Sequence, residues 1–112
     1  MKVGDFVFIH AGILPEHINE KNKDNFIIKI NNLMRLFLQG KKEKNDYEVQ
    51  NYFLNHNSMI WNRNYGGEKV NCKDIMEVNN ALNVGHMIVG HNVQENINQK
   101  CNNKLWRVDI GI

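Results

Sequence analysis

A chain of 112 residues with 42% hydrophobic content is the size of one domain and can bury one modest core. Its formal charge of +2 is spread over fourteen Lys and Arg that cluster only at Lys41, Lys42 and Lys44, which excludes a basic nucleic-acid-binding face. No apolar run reaches the ~18 residues of a membrane span, and Met1-Lys2-Val3-Gly4-Asp5 lacks a signal peptide's apolar stretch, so the expectation is a cytoplasmic protein with no membrane or nucleic-acid partner.

Val3 to His10 reads as a strand, because Phe6-Val7-Phe8-Ile9 is a continuous apolar run of the kind buried on both faces of a sheet. Asp24 to Gln39 predicts a helix, with Phe26, Ile27, Ile30, Leu33, Met34 and Phe37 recurring at three and four and Gly40 stopping it. After a charged connection from Gly40 to Asn45, Asp46 to His56 reads as a shorter amphipathic helix. Ser58 to Gly67 has no period and reads as an ordered loop, aromatic enough to pack and polar enough to contact a ligand.

Cys72 to Leu82 predicts a third helix, His86 to Gly90 a strand and Leu105 to Ile110 a last strand. The order is strand, helices, strand, strand, an α/β unit with no linker and no internal boundary. Cys72 and Cys101 lack the close spacing of a zinc or redox motif and read as reduced, structural thiols. Asparagine is over-used, mostly in loops and on helix faces expected to be exposed.

His10 directly follows Phe6-Val7-Phe8-Ile9, and His91 directly follows Met87-Ile88-Val89-Gly90. Both therefore fall at the carboxyl end of a strand, where α/β folds place their ligand crevices. Imidazole is a common ligand for zinc, manganese or iron, so a shared metal site is one reading of the pair. Two hydrogen-bonded histidines packed at strand ends is the other. His86 lies a strand's length from His91, ~16 Å, and reads as a strand-start residue. His17 and His56 read as surface histidines.

Four strings stand in order along the chain: Phe8-Ile9-His10-Ala11-Gly12-Ile13-Leu14-Pro15, Ile60-Trp61-Asn62-Arg63-Asn64-Tyr65, Met87-Ile88-Val89-Gly90-His91-Asn92 and Cys101 to Gly111. Together they resemble the HGG-x-x-P, W-x-R, VGH(T) and C-x-x-K-x-W-R-I-D-x-G segments of the calcineurin-like metallophosphoesterases, specifically the C-terminal half of the bacterial-type (Shewanella-like) serine/threonine protein phosphatases. The resemblance implies an α/β fold forming part of a two-sheet sandwich flanked by helices, with 1-112 as the C-terminal portion of the domain. It implies His10 and His91 as ligands of two divalent metals (manganese, iron or zinc), one on each, and Arg63 as a grip on phosphate. Asn92 and Tyr65 fall among the substrate-facing positions.

The implied chemistry suits those residue types. A phosphate monoester repels nucleophiles, so its hydrolysis needs cations on the oxygens and a hydroxide made at neutral pH, which two metals provide. Arginine adds a planar fork matched to phosphate, although stacking of Arg63 on Trp61 or Tyr65 is an equal reading of the residues alone. Ala11 replaces the second glycine of the first motif and Asn92 the threonine of the third.

The family's Gly-Asp-x-His-Gly, Gly-Asp-x-x-Asp-Arg-Gly and Gly-Asn-His-Glu strings are absent, so the metal set is incomplete in this chain and a partner N-terminal half is implied. The expected function is hydrolysis of a phosphoprotein or another phosphomonoester once the set is complete, with no activity from the chain alone. A diadenosine-polyphosphate hydrolase and a non-catalytic remnant acting as a binding module are the alternatives.

Overall fold

The computed structural model describes residues 1–111. Five strands, β1 (Lys2–Val3), β2 (Phe6–Ile9), β3 (His86–Val89), β4 (Asn98–Lys100) and β5 (Leu105–Arg107), form one mixed sheet in the order β1-β2-β3-β5-β4. The centre is parallel, with Phe8 opposite Ile88 and Ile88 opposite Trp106, while β1 and β4 close the edges antiparallel. The expected strand from Val3 is thus split by a turn at Gly4, whose φ of +57° suits glycine, and the last strand stops at Arg107 rather than Ile110. The α/β class holds.

Helix α1 (Phe26–Leu38) follows a 3₁₀ turn at Lys23–Asn25 and buries Phe26, Ile30 and Leu33, the stripe that its spacing predicts. The next element is one α-helical turn, α2 (Tyr47–Val49), continuing as a π-helical turn over Gln50–Leu54. Asp46 caps it by accepting from the amides of Glu48 and Val49 at 3.0 and 3.1 Å. Helix α3 (Cys72–Leu82) is capped in the same way by Asn71 and ends at Asn83, which takes the left-handed conformation that asparagine tolerates.

One contiguous core joins Val7, Met87, Val89 and Leu105 from the sheet to Ile75, Val78 and Leu82 from α3 and to the buried stripe of α1. The helices cover only that face. On the other, Phe6 and Phe8 remain 39% and 38% exposed, so β2 is not buried on both sides as its apolar run suggests: alternation places Phe6 and Phe8 outward, where no helix among the described residues covers them.

Cys72 and Cys101 form a disulfide, which corrects the expectation of free thiols: the sheet brings the start of α3 and the β4–β5 turn to a Cα separation of 5.3 Å. Three consecutive residues of that turn, Cys101, Asn102 and Asn103, have left-handed φ near +59°. His17 is also corrected. It is 2% exposed, with Nδ1 accepting from the Leu14 amide and Nε2 facing the Asn57 carbonyl, both at 3.0 Å. Several asparagines leave the surface as well, since Asn22, Asn62 and Asn79 are buried.

Candidate active site at the strand ends

Because β2 and β3 run parallel in register, their carboxyl ends lie side by side and carry His10 and His91 with them. The Gly90 amide donates to the His10 carbonyl at 2.7 Å, tying the two ends together directly. The imidazole centroids are 5.0 Å apart with the rings inclined at 58°. His91 is held at a φ of +66°, a conformation that costs a non-glycine residue about 1 kcal/mol or more, and its Nε2 faces the Trp61 carbonyl at 3.2 Å. In a neutral ring, a proton on Nε2 directed at that carbonyl would leave Nδ1 free to act as a ligand.

The loop bearing Trp61 and Arg63 is fixed from below. Asn62, 1% exposed, donates through Nδ2 to the carbonyls of Gly12 and Ser58 at 2.9 and 2.8 Å, and the amides of Ala11 and Gly12 both donate to the Met59 carbonyl. Arg63 neither stacks on Tyr65 nor sinks into the core. Its Nη1 donates to Asn92 Oδ1 at 2.9 Å, so the residue after His91 orients the arginine. Asn92 in turn packs on Gly66, where an added Cβ would meet its Cγ at 2.2 Å.

Tyr65 departs from the expectation of a substrate contact. It is 1% exposed, its hydroxyl donates to the Ile13 carbonyl at 2.8 Å, and burial pushes its pKa up. The ring lies against Gly12, whose φ of +141° and lack of a Cβ make room for it. Trp61, by contrast, is 53% exposed and meets His91 edge-on at 6.1 Å. No local pattern in the sequence marks Trp61 for this role, because the atom that orients His91 is a backbone carbonyl with no side-chain signature.

His86 starts β3 at the opposite end of the sheet, stacked on Phe6 at 4.8 Å, and takes no part in the site. Among the described residues no group of three or more His, Cys, Asp or Glu converges in a way that could hold a metal ion. His10 and His91 therefore fit part of a donor set and not a whole one.

No family model matches the chain. It is 34% identical over 98% of its length to Shewanella-like protein phosphatase 2 of Arabidopsis thaliana, of which it spans 28%. It superposes with a TM-score of 0.77, at 28% identity and 96% coverage, on 31% of a cold-active protein tyrosine phosphatase. The cold-active protein-tyrosine phosphatase of a psychrophilic Shewanella species gives 0.76, at the same identity and over 32% of that chain. The chain thus spans less than a third of the length of the proteins it resembles, and its fold is that of the matching part of these phosphatases.

Proposed function

We propose that this chain is the histidine-bearing part of a metal-dependent phosphomonoesterase acting on phosphoproteins, and that His10 and His91 hold one ion of a dinuclear centre. The observation that carries the reading is the 5.0 Å between the two imidazole centroids at adjoining strand ends. A metal lies about 2.1 Å from a ligating nitrogen and about 1.1 Å more from the ring centre, so two rings at roughly right or tetrahedral angles on one ion have centroids about 4.5–5.3 Å apart. The observed spacing fits a shared ion.

When bound, a pair of divalent ions such as manganese, iron or zinc would withdraw charge from the phosphoryl oxygens and make hydroxide accessible at neutral pH. The chain's own groups do the rest. The Trp61 carbonyl fixes the His91 tautomer, a common arrangement for a metal-bound imidazole. Arg63, exposed and aimed by Asn92, offers its remaining N–H donors to a phosphate oxygen. The carboxylate ligands are missing from this set, and we assign them to a complementing polypeptide segment that also covers the Phe6 and Phe8 face of the sheet.

The similarity to named protein phosphatases supports phosphoprotein substrates, and the names of the structural neighbours point to phosphotyrosine among them. The test is co-expression of this chain with the missing two thirds of a relative, followed by an aryl phosphate assay with and without manganese. Turnover that needs both parts and the metal, and falls at least 100-fold in His91→Ala, is expected from the loss of a group that supports transition-state charge. Assembly without turnover would identify a binding remnant instead.

A further inference from the structure

Arg107 is a buried cation without an anionic partner. It is 6% exposed, yet its guanidinium bonds only to neutral oxygens: Nε to Asn98 Oδ1 at 2.7 Å, and Nη1 to the carbonyls of Tyr65 and Gly67. No carboxylate lies within ion-pair distance of it among the described residues. Burial pushes its pKa down, as follows when a charge is taken from water without full compensation.

Nη2 bonds to no protein atom. The fully enclosed polar atoms without partners are Asn79 Oδ1 and Asn92 Nδ2, so the Nη2 donors are not sealed in. Arg107 lines an open cavity of about 550 Å³ together with Lys69, Lys100, Gln94, Glu68 and Glu95. Asn98 pairs with Arg107 across β4 and β5, and Lys100 lies two residues on from Asn98, so Lys100 and Arg107 sit on one face of the sheet. Neither Lys69 nor Lys100 pairs with Glu68 or Glu95. Three cations against two carboxylates leave the lining net positive.

We propose that this cavity is an oxyanion-binding site in which the Nη2 donors of Arg107 take a phosphate or carboxylate group, with Lys69 and Lys100 supplying charge at its rim. The site backs directly onto the Arg63 loop. Arg107 holds the carbonyls of Tyr65 and Gly67, and Gln94 Nε2 joins the carbonyls of Gly66 and Asn92 at 3.1 and 3.0 Å. A bound anion would therefore stiffen the segment that presents Arg63. The group could be free phosphate or an acidic residue of a peptide, and in either case it would be recognised by the same fork of donors. The site is independent of His10 and His91 and stands whether or not they hold a metal.

The experiment is a titration of this chain at constant ionic strength, following the Arg107 side-chain Nε–H and the Gly67 and Gln94 amides by ¹H–¹⁵N spectroscopy. The probes are inorganic phosphate and a Glu-Asp-Glu tripeptide, with chloride as the control series. Saturable shifts centred on Arg107 are expected, with a dissociation constant of about 1–10 mM for a single small anion. Tighter binding of the tripeptide would identify a peptide-borne group, and tighter binding of phosphate a free anion. Arg107→Lys should abolish saturation at unchanged fold. Should that variant fail to fold, the Lys69→Gln, Lys100→Gln double variant, which alters only the rim, should weaken binding about threefold or more. Absence of saturation at Arg107 with both probes, or an unchanged affinity in the double variant, overturns the proposal.

Discussion

Asn92 accepts from Arg63 at 2.9 Å while its side chain rests on Gly66, so the residue after one candidate ligand sets the direction of the phosphate-facing arginine. Asn92→Ala removes that hold and leaves His91 in place. In the complemented enzyme it should raise KM about 3- to 10-fold, the worth of one ordinary hydrogen bond at an exposed position, with a smaller effect on kcat. Steady-state kinetics on an aryl phosphate would show it, and an unchanged KM would separate Asn92 from Arg63 function.

Gly12→Ala should be among the most damaging single substitutions. Its Cβ would meet Tyr65 Cδ2 at 2.3 Å, and the φ of +141° is strained for any other residue. A loss of about 2–4 kcal/mol is expected from overpacking and strain together. At Gly67 an added Cβ meets nothing closer than the Lys69 carbonyl at 4.0 Å, so Gly67→Ala is the neutral comparison. Equal urea midpoints for the two variants would be the wrong outcome.

The Cys72–Cys101 bridge spans 29 residues. Closing a loop of that length restricts the unfolded chain, and the double replacement by serine should lower stability by about 3 kcal/mol. Three left-handed residues in the Cys101 to Asn103 turn should relax in the same variant. A thiol count of two under native, non-reducing conditions would show that the bridge does not form.

His17 should make the fold acid-sensitive. Burial lowers its pKa, and protonation would set an Nδ1–H against the Leu14 amide that now donates to that atom. The unfolded chain then takes up protons first, so this stability is complete above the ordinary histidine pKa of about 6.5 and is lost as pH falls through it toward the depressed folded value. His17→Gln should melt lower at pH 7.5 and show a flatter dependence between pH 7.5 and 5.5.

Much of this was legible in the sequence where a repeating apolar pattern met a cap. Helix α3 runs from Cys72 to Leu82 as its spacing predicts, and the strand-end placement of His10 and His91 followed from the apolar runs before them. Strands β1 and β4 escaped notice because Lys2-Val3 and Asn98-Gln99-Lys100 carry no alternation and pair only as sheet edges. The disulfide and the burial of Tyr65 and His17 are products of tertiary contact, and no local pattern announces them. Phe6 and Phe8 read as core, yet they remain 39% and 38% exposed, with His86 stacked on Phe6.

That open face should also make the isolated chain associate. Sedimentation of the chain alone should show dimers or larger species, and Phe8→Glu should shift the distribution toward monomer, because it places a charge in the apolar stripe. A concentration-independent monomer before substitution would mean that the face is tolerated in water.

The most direct measurement is substoichiometric addition of manganese to this chain while the histidine Cε1–H resonances are observed. If His10 and His91 hold one ion, both signals should broaden together and first, ahead of His17, His56 and His86, and a His10→Ala variant should protect His91 as well. Broadening of all five histidines alike, or of neither His10 nor His91, would contradict a shared metal site.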